Sequence, residues 1–184
     1  MTKSDFFRFA QGIVCSVFLY AGCSSDSTSQ SPVDPTLVWI DTVEAYPGSS
    51  AVVNVNADLK STLQGLQMPL QFGSNDVIID SVSFVGTLLS TNPFIDTVPI
   101  SVDSAYVDIL RSYTASYVIP PSVGKLASLH VTIAADAEFG TVSVDTFTRT
   151  LPNANVHRLL LSDNTANEIE VEFTEGAVII SPTP

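Results

Sequence analysis

Leu66, Met68, Leu70 and Phe72 alternate with Gln67, Pro69 and Gln71, and this period of two gives a strand one dry face and one wet face. A strand of this kind needs partners beside it and a layer over its dry side. Gly73-Ser74-Asn75-Asp76 follows: glycine tolerates positive φ, and the other three hydrogen-bond nearby backbone, so the four residues read as a turn. Val77-Ile78-Ile79 comes next, with Val82 and Phe84 continuing one face. The stretch Leu63–Gly86 is therefore expected to be an antiparallel pair joined by a polar turn. The remaining chain must supply the second sheet over the Leu66/Met68/Leu70/Phe72 face.

The rest of the body repeats the pattern of short strand-like runs between turn clusters, with no helical period of useful length. Leu37–Glu44 ends at Tyr46-Pro47-Gly48-Ser49, a Pro-Gly turn signal. Ala51–Leu59 puts Val53, Val55, Ala57 and Leu59 on one side and Asn54, Asn56 and Asp58 on the other. Thr87–Asp96 reads as an exposed excursion. Val98–Val102 and Tyr106–Leu110 form a candidate pair, with Pro99 suited to an edge because it lacks an N–H. In Gly124–Ala134 the inward set is Ala127, Leu129, Val131 and Ile133; Ser128, His130 and Thr132 point out. Thr141–Phe147, Leu159–Leu161, Glu168–Phe173 and Ala177–Ile180 complete about nine strands over residues 36–181. Many short strands without helices predict an all-β, about nine-stranded antiparallel jelly-roll β-sandwich.

The N-terminus has a different character. Lys3 and Arg8 precede an apolar stretch from Phe9 to Ala21, the length of a signal peptide's apolar region and too short to span a bilayer comfortably. Residues 1–22 are thus expected to be a leader. Residues 23–35, rich in Ser and Thr, carry no apolar periodicity and read as a flexible tether. The 19 acidic against 7 basic residues give a net charge of -12. Such a surface repels phosphate backbones, which argues against nucleic acid as a partner.

Chemistry-bearing constellations are sparse. The two cysteines, Cys15 and Cys23, both lie before the body, which leaves it no disulfide framework, thiolate metal site or Cys nucleophile. His130 and His157 are the only histidines, and no Gly-x-Ser-x-Gly elbow is present, so no hydrolytic triad assembles. Both histidines read as surface residues, and no catalytic residue, metal ligand or cofactor is assigned. Glu168, Glu170 and Glu172 project from one strand face and could hold calcium; opposite Ile169, Val171 and Phe173 they read better as a solvated side. Asp163-Asn164 with Asn167-Glu168 offers oxygen ligands without the spacing of a calcium loop. Trp39 lies in an apolar run and reads as core. Tyr106, Tyr113 and Tyr117 flank strands without joining an inward stripe, which makes them the candidate partner contacts.

Two resemblances sharpen these expectations. Leu19-Tyr20-Ala21-Gly22-Cys23 resembles a bacterial lipobox, with Tyr20 where that pattern usually has Leu. It implies that Cys23 becomes the lipidated first residue and that the membrane is met only through this anchor, on the periplasmic or extracellular side of the envelope. Tyr46-Pro47-Gly48, the Leu66–Phe72 strand and Asp80–Phe84, then Gly124–Leu129, Leu161-Ser162-Asp163 and Glu175–Ile179, resemble a cohesin-type domain in order and spacing. That likeness implies a jelly-roll sandwich related to certain carbohydrate-binding modules. It also implies docking of a secreted protein bearing a dockerin-like module on one sheet face, with a polysaccharide as the alternative ligand.

Overall fold

The computed structural model describes residues 34–90, 106–112, 118–150 and 156–183. The leader, the tether with Cys23, the run Val98–Val102, and Tyr113 and Tyr117 lie outside these residues. Among the described residues every regular element is a strand, and no helix is long and apolar enough to cross a membrane.

Among the described residues there are fourteen strand segments, twelve of them in the two sheets of a sandwich. They are β1 (Thr36–Ile40), β2 (Thr42–Ala45), β3 (Ser50–Leu59), β4 (Gly65–Phe72), β5 (Val77–Ser83), β6 (Tyr106–Ser112) and β7 (Ser122–Ile133). After these come β8 (Gly140–Thr146), β9 (Arg149–Thr150), β10 (Val156–His157), β11 (Leu160–Ser162), β12 (Glu168–Ile169), β13 (Val171–Thr174) and β14 (Gly176–Ile180). One sheet has the order β13-β1-β3-β7-β5; the other runs β12-β11-β4-β8-β14-β2, with β6 also bonded to β4. The segments exceed the expected strands because single apolar runs divide between sheets. Leu37–Glu44 bends at Asp41, so β1 joins the five-stranded sheet and β2 the seven-stranded one. Glu168–Phe173 divides in the same way into β12 and β13. The pairing is mostly antiparallel, but β1 with β13 and β14 with β2 run parallel.

The period-two readings hold where they named a core face. Leu66, Met68, Leu70 and Phe72 are buried, as are Val53, Val55, Ala57 and Leu59 from β3 and Ala127, Leu129, Val131 and Ile133 from β7. Leu126 is buried as well. The β3–β7 register slips between Val55 and Asn56, which face Ala127 and Lys125, so Leu126 is the extra residue of a bulge and two successive side chains turn inward.

The expected pairing of Leu66–Phe72 with Val77–Phe84 is not formed. β4 bonds to β6, β8 and β11, whereas β5 bonds to β7 in the opposite sheet. Gly73–Asp76 is a crossing between layers, tied at one end by the Gly73 N–H to Ser143 carbonyl bond (2.9 Å) and at the other by the Ala134 N–H to Asp76 carbonyl bond (2.8 Å). The two apolar stripes therefore share one core as members of facing sheets, where each covers the other. Two further corrections concern burial. Of the expected exposed excursion Thr87–Asp96, residues 91–96 lie outside the described ones, and in the rest Leu89 is 1% exposed and Thr87 is buried. Trp39 does not join the core cluster; it is half-buried, alternates with the buried Val38 and Ile40, and stands across from Asn56.

Candidate docking face

The outer side of the seven-stranded sheet is shaped by an interruption. Along β4, Phe72 faces Val144, Gln71 faces Asp145 and Leu70 faces Thr146. An unbroken strand would continue the ladder with Arg149 opposite Gln67. Gln67 instead faces Leu160, eleven residues later, and Leu66 faces Leu161. β8 and β11 are thus two ends of one strand with a loop thrown out between them. The described legs of that loop pair briefly with each other, Thr150 with Val156 and Arg149 with His157.

These legs lie over β4 and β6. Val107 and Ile109 are fully buried in the core, so alternation sends Tyr106 and Asp108 to the outer side. Asp108 is nonetheless 0% exposed, and Pro69, its register partner on β4, is buried too. The cover is β10, which packs on β4 and brings His157 Nδ1 onto Asp108 Oδ2. A carboxylate only accepts, so Nδ1 carries the proton in that bond. The other Asp108 oxygen, Oδ1, is buried with no hydrogen-bond partner.

Beside this pair, Tyr106 packs edge-on against Phe147, with ring centroids 5.0 Å apart, and the Arg149 guanidinium sits 5.7 Å from the Tyr106 ring centroid. Burial and then the Asp108 charge push the Tyr106 hydroxyl up from its ordinary range, against a hydrogen bond from Arg149. Tyr106 was singled out in the sequence and is half-buried here. Phe147, Arg149 and Asp108 were not singled out. His157 departs from the expectation of a surface residue, because its partner comes from a strand 49 residues earlier.

The other sequence candidates lie elsewhere. His130 is half-buried on the outer side of the five-stranded sheet, lining a shallow depression with Ser50, Val52 and Asp80. On the same sheet Asp41 accepts from Asn54 Nδ2 (3.0 Å) and Asn56 Nδ2 (2.8 Å), and Asn54 Oδ1 accepts from Ser128 Oγ (3.0 Å). Glu168, Glu170 and Glu172 do not form one face, because the run changes sheets between β12 and β13. Glu168 takes a two-pronged bond from Arg158 at 2.6 and 2.7 Å, which holds its carboxyl below the usual range. Asp163 closes its own turn, accepting from Thr165 and Asn167. Among the described residues no group of three or more His, Cys, Asp or Glu side chains is placed to hold a metal ion.

No protein-family model matches the sequence, and no curated protein matches it. Solved structures do match the sandwich. The seventh ScaB type I cohesin from Pseudobacteroides cellulosolvens aligns with a TM-score of 0.67 and 13% identity over 82% of this chain and 94% of its own. The sixth cohesin of scaffoldin B from Acetivibrio cellulolyticus, solved with a Cel5 dockerin, gives 0.64 and 22% over 80% and 99%. The fold is that of a cohesin. The likeness extends to a non-cellulosomal cohesin from the archaeon Archaeoglobus fulgidus, at 0.58 and 14% over 80% and 91%. On this sandwich the outer side of the seven-stranded sheet, with its aromatic and arginine cluster, is the candidate functional surface.

Proposed function

We propose that this chain is a non-catalytic docking protein: a tether over residues 23–35 that begins with a lipid anchor at Cys23, and a cohesin-like module that receives a dockerin-like partner at the cell envelope. The observation that carries the reading is the match over about four-fifths of the chain to cohesins solved with dockerins bound. The Tyr106–Phe147–Arg149 cluster supports the choice of face, since Tyr and Arg are enriched among residues that dominate binding energy. A stable complex of ordinary size needs about 800 Å² per partner, roughly one face of a sandwich.

The test is calorimetry of the fragment Ser31–Pro184 against a panel of dockerin modules. The expected result is saturable one-to-one binding to a basic partner, weakening as salt rises, because the chain carries a strong net negative charge. Binding to glycans alone, or hydrolysis of a polymer by the purified fragment, would sink the reading. A second reading, glycan binding, draws on the outward placement of Trp39 beside the Asn54/Asn56 amides. A glycan array compared with Trp39→Ala separates the two.

A further inference from the structure

We propose that Asp108 and His157 form a pin that holds the two legs of the loop, Phe147–Thr150 and Val156–Leu159, as a strap across the outer face of the seven-stranded sheet. A ladder of two residues on two, as in β9 with β10, does not stand by itself in water. The legs must therefore be held by what they touch. Arg158 with Glu168 is an exposed pair, and exposed pairs contribute little. Arg149 over Tyr106 is likewise at the rim, with Arg149 exposed. His157 on Asp108 is different. It joins a half-buried ring to a fully buried carboxylate, and removing one member of such a pair strands the other.

The choice of residue at position 108 points the same way. An apolar side chain would satisfy a permanently covered position better than an acid with one oxygen left without a partner. A carboxylate suits a position that is covered in one state and wet in another, since lifting the legs returns both oxygens to water. In the lifted state the face presents Asp108 between Tyr106 and Pro69, a carboxylate beside an aromatic ring. Those groups complement a basic side chain of a partner. Among the described residues, the titratable groups that meet Asp108 in the covered state are His157 and Tyr106, with Arg149 over the Tyr106 ring. The consequence for partner binding rests on the docking reading; the strap itself does not.

Limited trypsin digestion reads the strap directly, because Arg149 and Arg158 are basic residues of the legs. With His157→Ala, cleavage after both arginines should accelerate tenfold or more while hydrogen exchange in β3 and β7 stays unchanged. The double variant Asp108→Ala/His157→Ala leaves no stranded charge, and should show the same acceleration even where the single variant folds poorly. In the wild type, the amides of Thr150 and Val156 should be protected from exchange. Cleavage within twofold of wild type in the folded double variant, or wild-type leg amides exchanging at the rate of a free peptide, would overturn the pin. Failure to bind any dockerin, with the protease result intact, would remove the docking reading and leave the strap.

Discussion

Gly176 and Asp41 lie so close that a Cβ on the glycine would fall 2.6 Å from the Asp41 carbonyl oxygen and 2.7 Å from that of Ile40. This is the place where the first apolar run bends from one sheet to the other and the last strand begins. The obstacle is backbone, which does not swing aside as a side-chain tip would. Gly176→Ala should therefore destabilise the sandwich by about 1–3 kcal/mol, the range for overpacking, read as a lowered urea midpoint. An unchanged midpoint would mean that β14 and the Asp41 bend separate easily.

Phe72 is 5% exposed and faces Val144 where β4 meets β8. Phe72→Ala should cost about 3–5 kcal/mol, much of the roughly 5–15 kcal/mol by which a domain is stable. Thermal melting of the variant checks this, and a melting temperature equal to that of the wild type would contradict the burial.

The turn after β11 makes a pH prediction. Asp163 accepts hydrogen bonds first from Thr165 and then from Asn167, which hold its carboxyl below the ordinary range. A depressed folded-state pKa contributes stability that is present above the unfolded value, about 3.9. It is lost as pH falls through the lower folded value. Asp163→Asn should abolish this part of the acid response. Carboxyl titration by NMR should place Asp163 below a model-peptide aspartate, and a midpoint at or above it would refute the turn geometry.

The anchor is tested apart from the fold. Cys23→Ser should move the protein from the membrane fraction to the soluble one, or leave it uncleaved. A wild-type mature N-terminus without lipid by mass spectrometry would exclude the anchor. Held by two or three acyl chains at about 0.8 kcal/mol per buried methylene, a lipidated form should resist high-salt washing.

How much of this was legible depended on what each residue's signal encodes. Alternation tells which side of a strand is dry, and it placed the cores of β3, β4 and β7. It says nothing about which strand lies alongside, so Gly73–Asp76 read as a hairpin turn although four polar residues also span the roughly 10 Å between packed sheets. Trp39 sits in Leu37-Val38-Trp39-Ile40, where every residue is apolar and the period is silent. Asp108 is an acid between Val107 and Ile109, and its outward position follows only once the burial of those two neighbours is known. What covers it arrives with His157 from beyond β8, and no local pattern announces that contact. The hint in the sequence is the length of chain from Thr146 to Leu160, too long for the simple continuation of one strand.

The parallel pair of β1 and β13 sets a timetable for the chain. Thr36 lies opposite Val171, 135 positions further along, and its amide donates to the Glu170 carbonyl at 2.9 Å. β2 waits equally long for β14. A polypeptide emerging from its N-terminus can set β1 beside β3 early, but β1 and β2 lack their parallel partners until β13 and β14 have been made. Contacts this distant in sequence make for slow closure. The arrival of residues 171–180 therefore decides when the domain ceases to be sticky.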